Sequence, residues 1–247
     1  MPWRNVDDPY KVFISEVMLQ QTQVSRVTEK YRRFIAAFPD MKSLNIAPLK
    51  DILDVWQGLG YNRRANYLKQ AAGIIIGDFG GRIPESPEEL VKLPGIGPAT
   101  AASIAVFAFN RPVTFIETNI RSVFIHFFFP GKDCVPDTAI FPLVEKTLDT
   151  ENPREWYYAL MDYGVMLKST QDNPSRRSRH HTRQSAFEGS DRQIRGAVIR
   201  LLTNSDGMDA RELARESGCD SRRLDEILSG LEQDGLIVKS KQVYTIA

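Results

Sequence analysis

Cysteine is scarce in this chain: it has only two in 247 residues, Cys134 and Cys219, far apart in sequence. That excludes a disulfide framework and leaves too few thiolates for a metal cage, so any bound metal would need oxygen or nitrogen ligands. Long apolar runs are missing as well. None approaches the roughly 20 residues of a bilayer span, and the opening MPWRNVDDPY lacks the apolar core of a secretory signal. A soluble, cytoplasmic protein without membrane contact is therefore expected. Charge is balanced, with 32 Lys and Arg against 31 Asp and Glu. The resulting net charge of +1 neither favours nor excludes nucleic acid, because a binding face depends on local charge. What the chain does have is 42% apolar and 10% aromatic residues. This is enough to bury sizeable cores in one large domain or two to three small ones, and it rules out disorder, a collagen-like repeat or a coiled coil.

Helical punctuation dominates. Phe13, Val17, Val24, Val27, Tyr31, Phe34 and Phe38 recur at the three- and four-residue steps of buried helix faces, and the polar run Gln20 to Gln23 interrupts them as a turn would. Ser86-Pro87-Glu88-Glu89 and Asn152-Pro153-Arg154-Glu155 predict two capping boxes with Pro in the first turn. Gly58 and Gly60 close a helix containing Leu53 and Trp56, Gly80-Gly81 close another, and strand-like runs are nearly absent before residue 235. The bulk should be all-α. After Leu167 the composition shifts. From Asn173 to Phe187 there are four arginines, two histidines and no acid, which reads as a basic surface segment. From Asp191 the periodicity restarts as three helices and ends in two short runs, 236–239 and 242–246, as in a winged helix.

Two features could carry chemistry. Leu93-Pro94-Gly95-Ile96-Gly97-Pro98-Ala99-Thr100-Ala101 sits between helical patterns. Its glycines permit a tight turn, Pro98 suits a helix start, and the amides that follow form a phosphate site without side-chain charge. Read as Gly-x-Gly alone, it is an ordinary helix-to-helix turn; the full string looks like the hairpin of a DNA-binding helix-hairpin-helix. The second feature is a pair of acids in apolar surroundings, Glu16 and Glu117. Each is either a cap or ion-pair partner, or a desolvated carboxyl with a raised pKa, and Glu117 could equally start a helix. Cleavage of a glycosidic bond uses one protonated and one ionised carboxyl. His126 reads as a hydrogen-bonded core histidine, and Phe127, Phe128 and Phe129 as core aromatics. In the tail, Arg222 and Arg223 followed by Asp225, Glu226, Glu232 and Asp234 fit protein contact as well as groove entry.

The strings Pro2-Trp3-Arg4, Asp8-Pro9-Tyr10, Ser15 to Val24, Trp56-Gln57-Gly58-Leu59-Gly60-Tyr61, the hairpin, and Ala159 to Gly164 resemble, in order and spacing, the helix-hairpin-helix (HhH-GPD) DNA glycosylases, and most closely their A/G-specific adenine branch. The resemblance covers residues 2 to about 167. It implies an all-α, two-lobed fold, with a six-helix lobe over 18–120 carrying the hairpin and a second lobe from 1–17 and 121–189. A winged-helix-like domain over 190–247 lies beyond it. Glu16 would be the acid that protonates the purine, Glu117 the carboxylate beside the sugar, and Asn119 a further catalytic residue. Trp3, Arg4, Leu19 and Val24 would line the base pocket, and Asp162 would meet the exocyclic amine. Gln21 and Thr22 would form a wedge into the duplex. Tyr61, Asn62, Gly95, Ile96, Gly97, Ala99 and Thr100 would contact DNA, and Arg176, Arg177, Arg179 and Arg183 would contact phosphates.

Four departures qualify the expectation. The family usually has Asp where this chain has Glu117, and an extra methylene moves a carboxylate by about an ångström. Lysine-bearing bifunctional relatives have their nucleophile where Ala99 stands, so a monofunctional hydrolase is expected. Most members have four cluster cysteines directly after Leu167, where Lys168 begins a cysteine-free stretch. No iron–sulfur cluster or other metal is therefore expected, and the resemblance leaves room only for a monovalent cation at the hairpin backbone. Finally, the tail stands where full-length adenine glycosylases carry a domain that reads oxidised guanine. The expectation is a monomeric base excision repair enzyme associated with the nucleoid. It would act on duplex DNA with mispaired or damaged bases, preferably on adenine opposite guanine or 8-oxoguanine, with the winged helix open to a protein partner. The rival readings are a thymine or uracil mismatch glycosylase and a non-catalytic DNA-binding regulatory protein.

Overall fold

Asp8 starts the first helix, α1 (Pro9–Leu19): its carboxylate accepts from the Tyr10 amide at 3.0 Å, and Pro9 occupies the first turn, where a missing N–H leaves no bond unmade. Phe13, Ile14, Val17 and Met18 are buried along it. The polar run then makes the expected turn, with Gln21 at φ 52°, and α2 (Val24–Ala37) buries Val27, Tyr31 and Phe34. Helices α3 (Met41–Ile46), α4 (Leu49–Trp56) and α5 (Arg63–Phe79) complete this lobe, α5 ending at Gly80 in the left-handed region. Its core is aromatic, with the fully buried Trp56 edge-on to Phe34 at 5.9 Å.

The computed structural model describes residues 1–4, 6–182 and 186–247. They divide into one unit of Met1–Pro84, Leu93–Gly95 and the tail from 186, and a second of Glu85–Lys92 and the stretch from 96 to 182. Among the described residues, no helix is long and apolar enough to cross a membrane.

The second unit holds α6 (Pro87–Leu90), α7 (Pro98–Phe109), α8 (Thr118–Phe128), α9 (Asp137–Thr147) and α10 (Pro153–Thr170), followed by a 3₁₀ turn at Pro174–Arg177. Helix α7 is apolar on every side, and Ala101 through Ala108 are buried. Tyr157 of α10 is fully buried. Its hydroxyl donates to the Val113 carbonyl and accepts from the Phe115 amide, both at 3.1 Å, which pins the segment leading into Glu117. Close packing of α8 and α10 depends on Gly164, where a Cβ would lie 2.5 Å from the Asn119 carbonyl oxygen.

Three local expectations need correction. Asn152 makes no side-chain cap for α10; Asn110, from the end of α7, instead accepts the Arg154 amide at 3.2 Å. Ser86 accepts the Glu89 amide, but the reciprocal bond from the Ser86 amide to the Glu89 carboxylate is not made; the Ser86 hydroxyl donates to Glu88 at 2.6 Å. Phe127 and Phe128 are not core: they are 54% and 48% exposed in the last turn of α8, where Phe128 stacks on the buried Phe124 at 5.5 Å but has solvent on its other side. His126 is half-buried and bonded to Gln171 at 3.0 Å.

The tail forms α11 (Asp191–Thr203), β1 (Met208–Asp209), α12 (Ala210–Ser217), α13 (Ser221–Gln233), β2 (Ile237–Ser240) and β3 (Val243–Ile246), with an antiparallel sheet in the order β1-β3-β2. Three helices with a sheet give the winged-helix arrangement. It docks on the first lobe of its own unit: α11 packs on α4, Lys50 donates to the Ser205 carbonyl at 2.7 Å, and Asn66 donates to the carbonyls of Asp234 and Gly235 at 3.0 and 3.1 Å.

Candidate active site and nucleic-acid interface

In the first unit the Gln20 to Gln23 turn, where the resemblance expects a wedge, is held by a residue that the sequence did not single out. Arg64, on the first turn of α5, is buried, and one of its terminal nitrogens donates to the carbonyls of Val17, Met18 and Gln20 at 2.8, 2.9 and 2.7 Å. The other reaches Thr22 Oγ1 at 2.9 Å and the Gly60 carbonyl at 3.2 Å. The guanidinium lies between the rings of Trp56 and Tyr61, 5.2 and 5.5 Å from their centroids, and burial pushes its pKa down to about 10. One cation thus ties the carbonyl end of α1, the Gln20-Gln21-Thr22 turn and the Gly58 to Tyr61 loop into a single piece. Gln21 is exposed at its tip.

Glu16 is half-buried between the buried Ser15 and Val17. Trp3 is buried edge-on to Tyr31 at 5.4 Å, Arg4 and Leu19 are half-buried, and Val24 is exposed. The structure therefore gathers Trp3, Arg4, Glu16, Leu19 and Val24 in the first unit, and places Glu117, Asn119 and Asp162 in the second. Within the first unit, Gln20 of the turn donates to the Gly95 carbonyl at 3.0 Å. Gly95 has φ +75°, and a Cβ on it would lie 2.8 Å from the Tyr67 ring, so only glycine fits. Ile96 is buried, which leaves only its main chain for a ligand. Gly97 caps α7 with open space above it. After Pro98, Ala99 and Thr100 carry first-turn amides, which have no intrahelical acceptor.

Glu117 is both things that the sequence allowed. It caps α8, accepting from the amides of Asn119 and Ile120 at 2.6 and 2.8 Å, and it is a desolvated carboxyl. Burial raises its pKa, while those amides together with Lys168 and Arg121 pull it back toward ionisation. Asn119 Nδ2 donates to its other oxygen at 3.1 Å, and Lys168 Nζ donates to Asn119 Oδ1 at 2.7 Å. Lys168 is half-buried on α10, and burial lowers its pKa. Arg121 is held by Asp137 through two bonds of 2.7 Å, and that pairing lowers the Asp137 pKa. The result is a carboxylate with three N–H donors and an ammonium one residue behind it, suited to holding negative charge beside a developing cation.

Asp162 is exposed on α10. In the basic segment, Arg176 and Arg179 are exposed, whereas Arg177 turns inward and donates to the Phe129 carbonyl at 2.8 Å; Arg183 lies outside the described residues. The segment is pinned to Val135 by two main-chain bonds of 2.9 and 3.0 Å. The chain does not fit an iron–sulfur cluster. Its two cysteines fall in different units, and no three His, Cys, Asp or Glu among the described residues group as metal ligands. Lys168 and Arg64 are the site residues that sequence reasoning missed. For Lys168 the only signal was its place directly after Leu167; for Arg64 it was its closeness to the Gly58 to Tyr61 string.

Residues 14–147 match the HhH-GPD superfamily of base excision DNA repair proteins. An adenine DNA glycosylase of Buchnera aphidicola subsp. Baizongia pistaciae (strain Bp) is 38% identical over 171 residues, covering 68% of this chain and 48% of that protein. Another from Mycobacterium tuberculosis (strain CDC 1551 / Oshkosh) is 29% identical over 273 residues, covering 97% of this chain and 86% of that protein. The chain spans about half the length of the Buchnera relatives that it matches. Among solved structures, a thermostable thymine-DNA glycosylase is similar with a TM-score of 0.62 at 26% identity, over 70% of this chain and 81% of that one.

Proposed function

Because the chain belongs to the HhH-GPD superfamily of base excision DNA repair proteins, we propose that it is a monofunctional DNA N-glycosylase that removes adenine mispaired with guanine or 8-oxoguanine, acting as a monomer without an iron–sulfur cluster. The observation that carries this reading is Glu117, a buried carboxyl whose pKa is raised by desolvation and drawn back toward ionisation by two amides, Asn119 and Lys168. A charge placed this way favours an oxocarbenium-like sugar.

In this reading the enzyme extrudes a nucleotide from the duplex, losing stacking energy of a few kcal/mol that is smaller at a mispair. The wedge turn braced by Arg64 fills the gap, and the amides of Ala99 and Thr100 and the exposed Arg176 and Arg179 bind phosphates. Glu16 donates its proton to the purine ring and the N-glycosidic bond breaks with both electrons leaving on the base. Glu117 stabilises the sugar cation, and water adds with its released proton passing to a carboxylate of the site, which gives an abasic site. Ala99 offers no amine, so no enzyme–sugar adduct forms.

A second reading is supported by the similarity to a thymine-DNA glycosylase: removal of thymine or uracil from mispairs with guanine. Asp162 favours adenine, because a carboxylate accepts from an amino group that thymine lacks. The deciding experiment incubates the protein with duplexes carrying A opposite G, A opposite 8-oxoguanine, T opposite G and U opposite G, then treats them with alkali. Strand breakage at adenine supports the proposal; breakage only at thymine or uracil, or none, overturns it.

A further inference from the structure

The tail does more than cover the lobe on which it docks. Between the two lies a cleft of about 560 Å³, within the roughly 300–1,000 Å³ of sites that enclose a small ligand. The wedge lobe lines it with Gln20, Gln21, Tyr61 and Arg63, and α11 of the tail lines it with Arg192 and Arg195. Four arginines and one aspartate line the cleft, so its wall is strongly cationic in a chain that is nearly neutral. Asp234 offsets part of that charge and orders the rest: its carboxylate binds Arg195, and Arg63 at 3.2 Å, which fixes two guanidinium groups with side chains from both parts. Tyr61 and Tyr67 add aromatic rings, and the two glutamines add amide donors and acceptors. Cations for phosphate, ring faces for stacking and amides for base edges make a nucleotide-binding set.

None of the residues assigned to the excised base lines this cleft; the wedge glutamines do. A wedge that fills the place of an extruded nucleotide has the unpaired partner nucleotide as its other neighbour. We propose that this cleft receives the nucleotide left opposite the excised base, and that the winged-helix tail takes part in DNA recognition by supplying Arg192 and Arg195. The inference rests on the reading of the chain as a glycosylase acting on duplex DNA. Lobe and tail together then contact the strand that keeps its base.

Gly196 makes the test clean. It lines the cleft on α11, and a Cβ there meets no atom within 4 Å, so Gly196→Ala is accommodated without strain and Gly196→Glu places a carboxylate in the cationic wall. Affinity is measured by fluorescence anisotropy over a salt series, on a duplex with a tetrahydrofuran abasic analogue opposite guanine, so that no turnover intervenes. Gly196→Glu and Arg192→Glu should each weaken binding roughly tenfold or more at 0.1 M salt, and Arg192→Glu should flatten the salt slope by about one unit. Gly196→Ala, and Arg215→Glu at an exposed tail position, should stay within about twofold of the unaltered protein. Urea unfolding confirms that each variant is folded. If Gly196→Glu binds like Gly196→Ala, or if Arg215→Glu weakens binding as much as Arg192→Glu, the inference is wrong. These binding outcomes decide it whether or not the unaltered protein releases adenine, which is read separately in the alkali assay.

Discussion

Lys168 and Asn119 are joined by a hydrogen bond of 2.7 Å between α10 and the start of α8, and Asn119 passes that contact to the carboxylate of Glu117. Lys168→Met removes the cation that lowers the Glu117 pKa, so the acid limb of the pH–rate profile should move to higher pH. The rate at pH 7 should fall about tenfold or more as Asn119 loses its anchor. Lys168→Arg should restore the limb. Single-turnover base release between pH 5 and 9 checks this; an unmoved limb would reduce Lys168 to a packing residue.

Stability carries the same signature. Glu117 has a folded-state pKa above its unfolded value, so its contribution is fully present below the unfolded carboxylate pKa and is lost as pH rises through the raised folded value. The difference in unfolding free energy between the unaltered protein and Glu117→Gln should decline as pH rises across that window. Urea titrations at several pH values measure it, and a difference that grew with pH would contradict the burial of this group.

Glu16→Gln should abolish base release while leaving mismatch affinity nearly intact, since an amide keeps the shape but has no acidic proton and affinity rests mainly on phosphates. More than a few per cent of normal strand cleavage after alkali would remove Glu16 from the role of acid.

Arg64→Ala should destabilise the protein by more than about 3 kcal/mol, because it strips the donor from several buried carbonyls at once and loosens the wedge turn. Urea unfolding reports the stability and binding to an abasic duplex reports the wedge. A loss under about 1 kcal/mol would mean that water replaces those bonds.

The basic segment should separate into two kinds of arginine. Arg176→Ala with Arg179→Ala should flatten the salt slope of DNA binding by up to about two units, whereas Arg177→Ala should cost stability, since the Phe129 carbonyl loses its donor. The purified protein should contain no iron and keep its unfolding midpoint in chelator, because main-chain bonds to Val135 hold this segment. Elemental analysis showing stoichiometric iron would refute that.

The sequence by itself determined whatever depends on residues within a few positions of one another. The cap at Asp8, the turn at Gln20 to Gln23, the glycine at Gly95 and the family strings are local patterns, and helix starts and tight turns are set by local bonds and allowed dihedral angles. It also presented both carboxyls as charges in apolar runs, and the dual nature of Glu117 was legible as two alternatives. Only the tertiary structure decided the rest. Asn110 caps α10 from another helix, Phe127 and Phe128 face solvent although their run looks like core, and Arg64 gathers carbonyls from two distant segments. Lys168 reaches Asn119 across 49 residues, and the tail closes a cleft with the wedge. Each of these joins residues far apart in the chain, whose meeting depends on how helices pack, and helix packing leaves no periodic mark in the sequence around a single arginine or lysine.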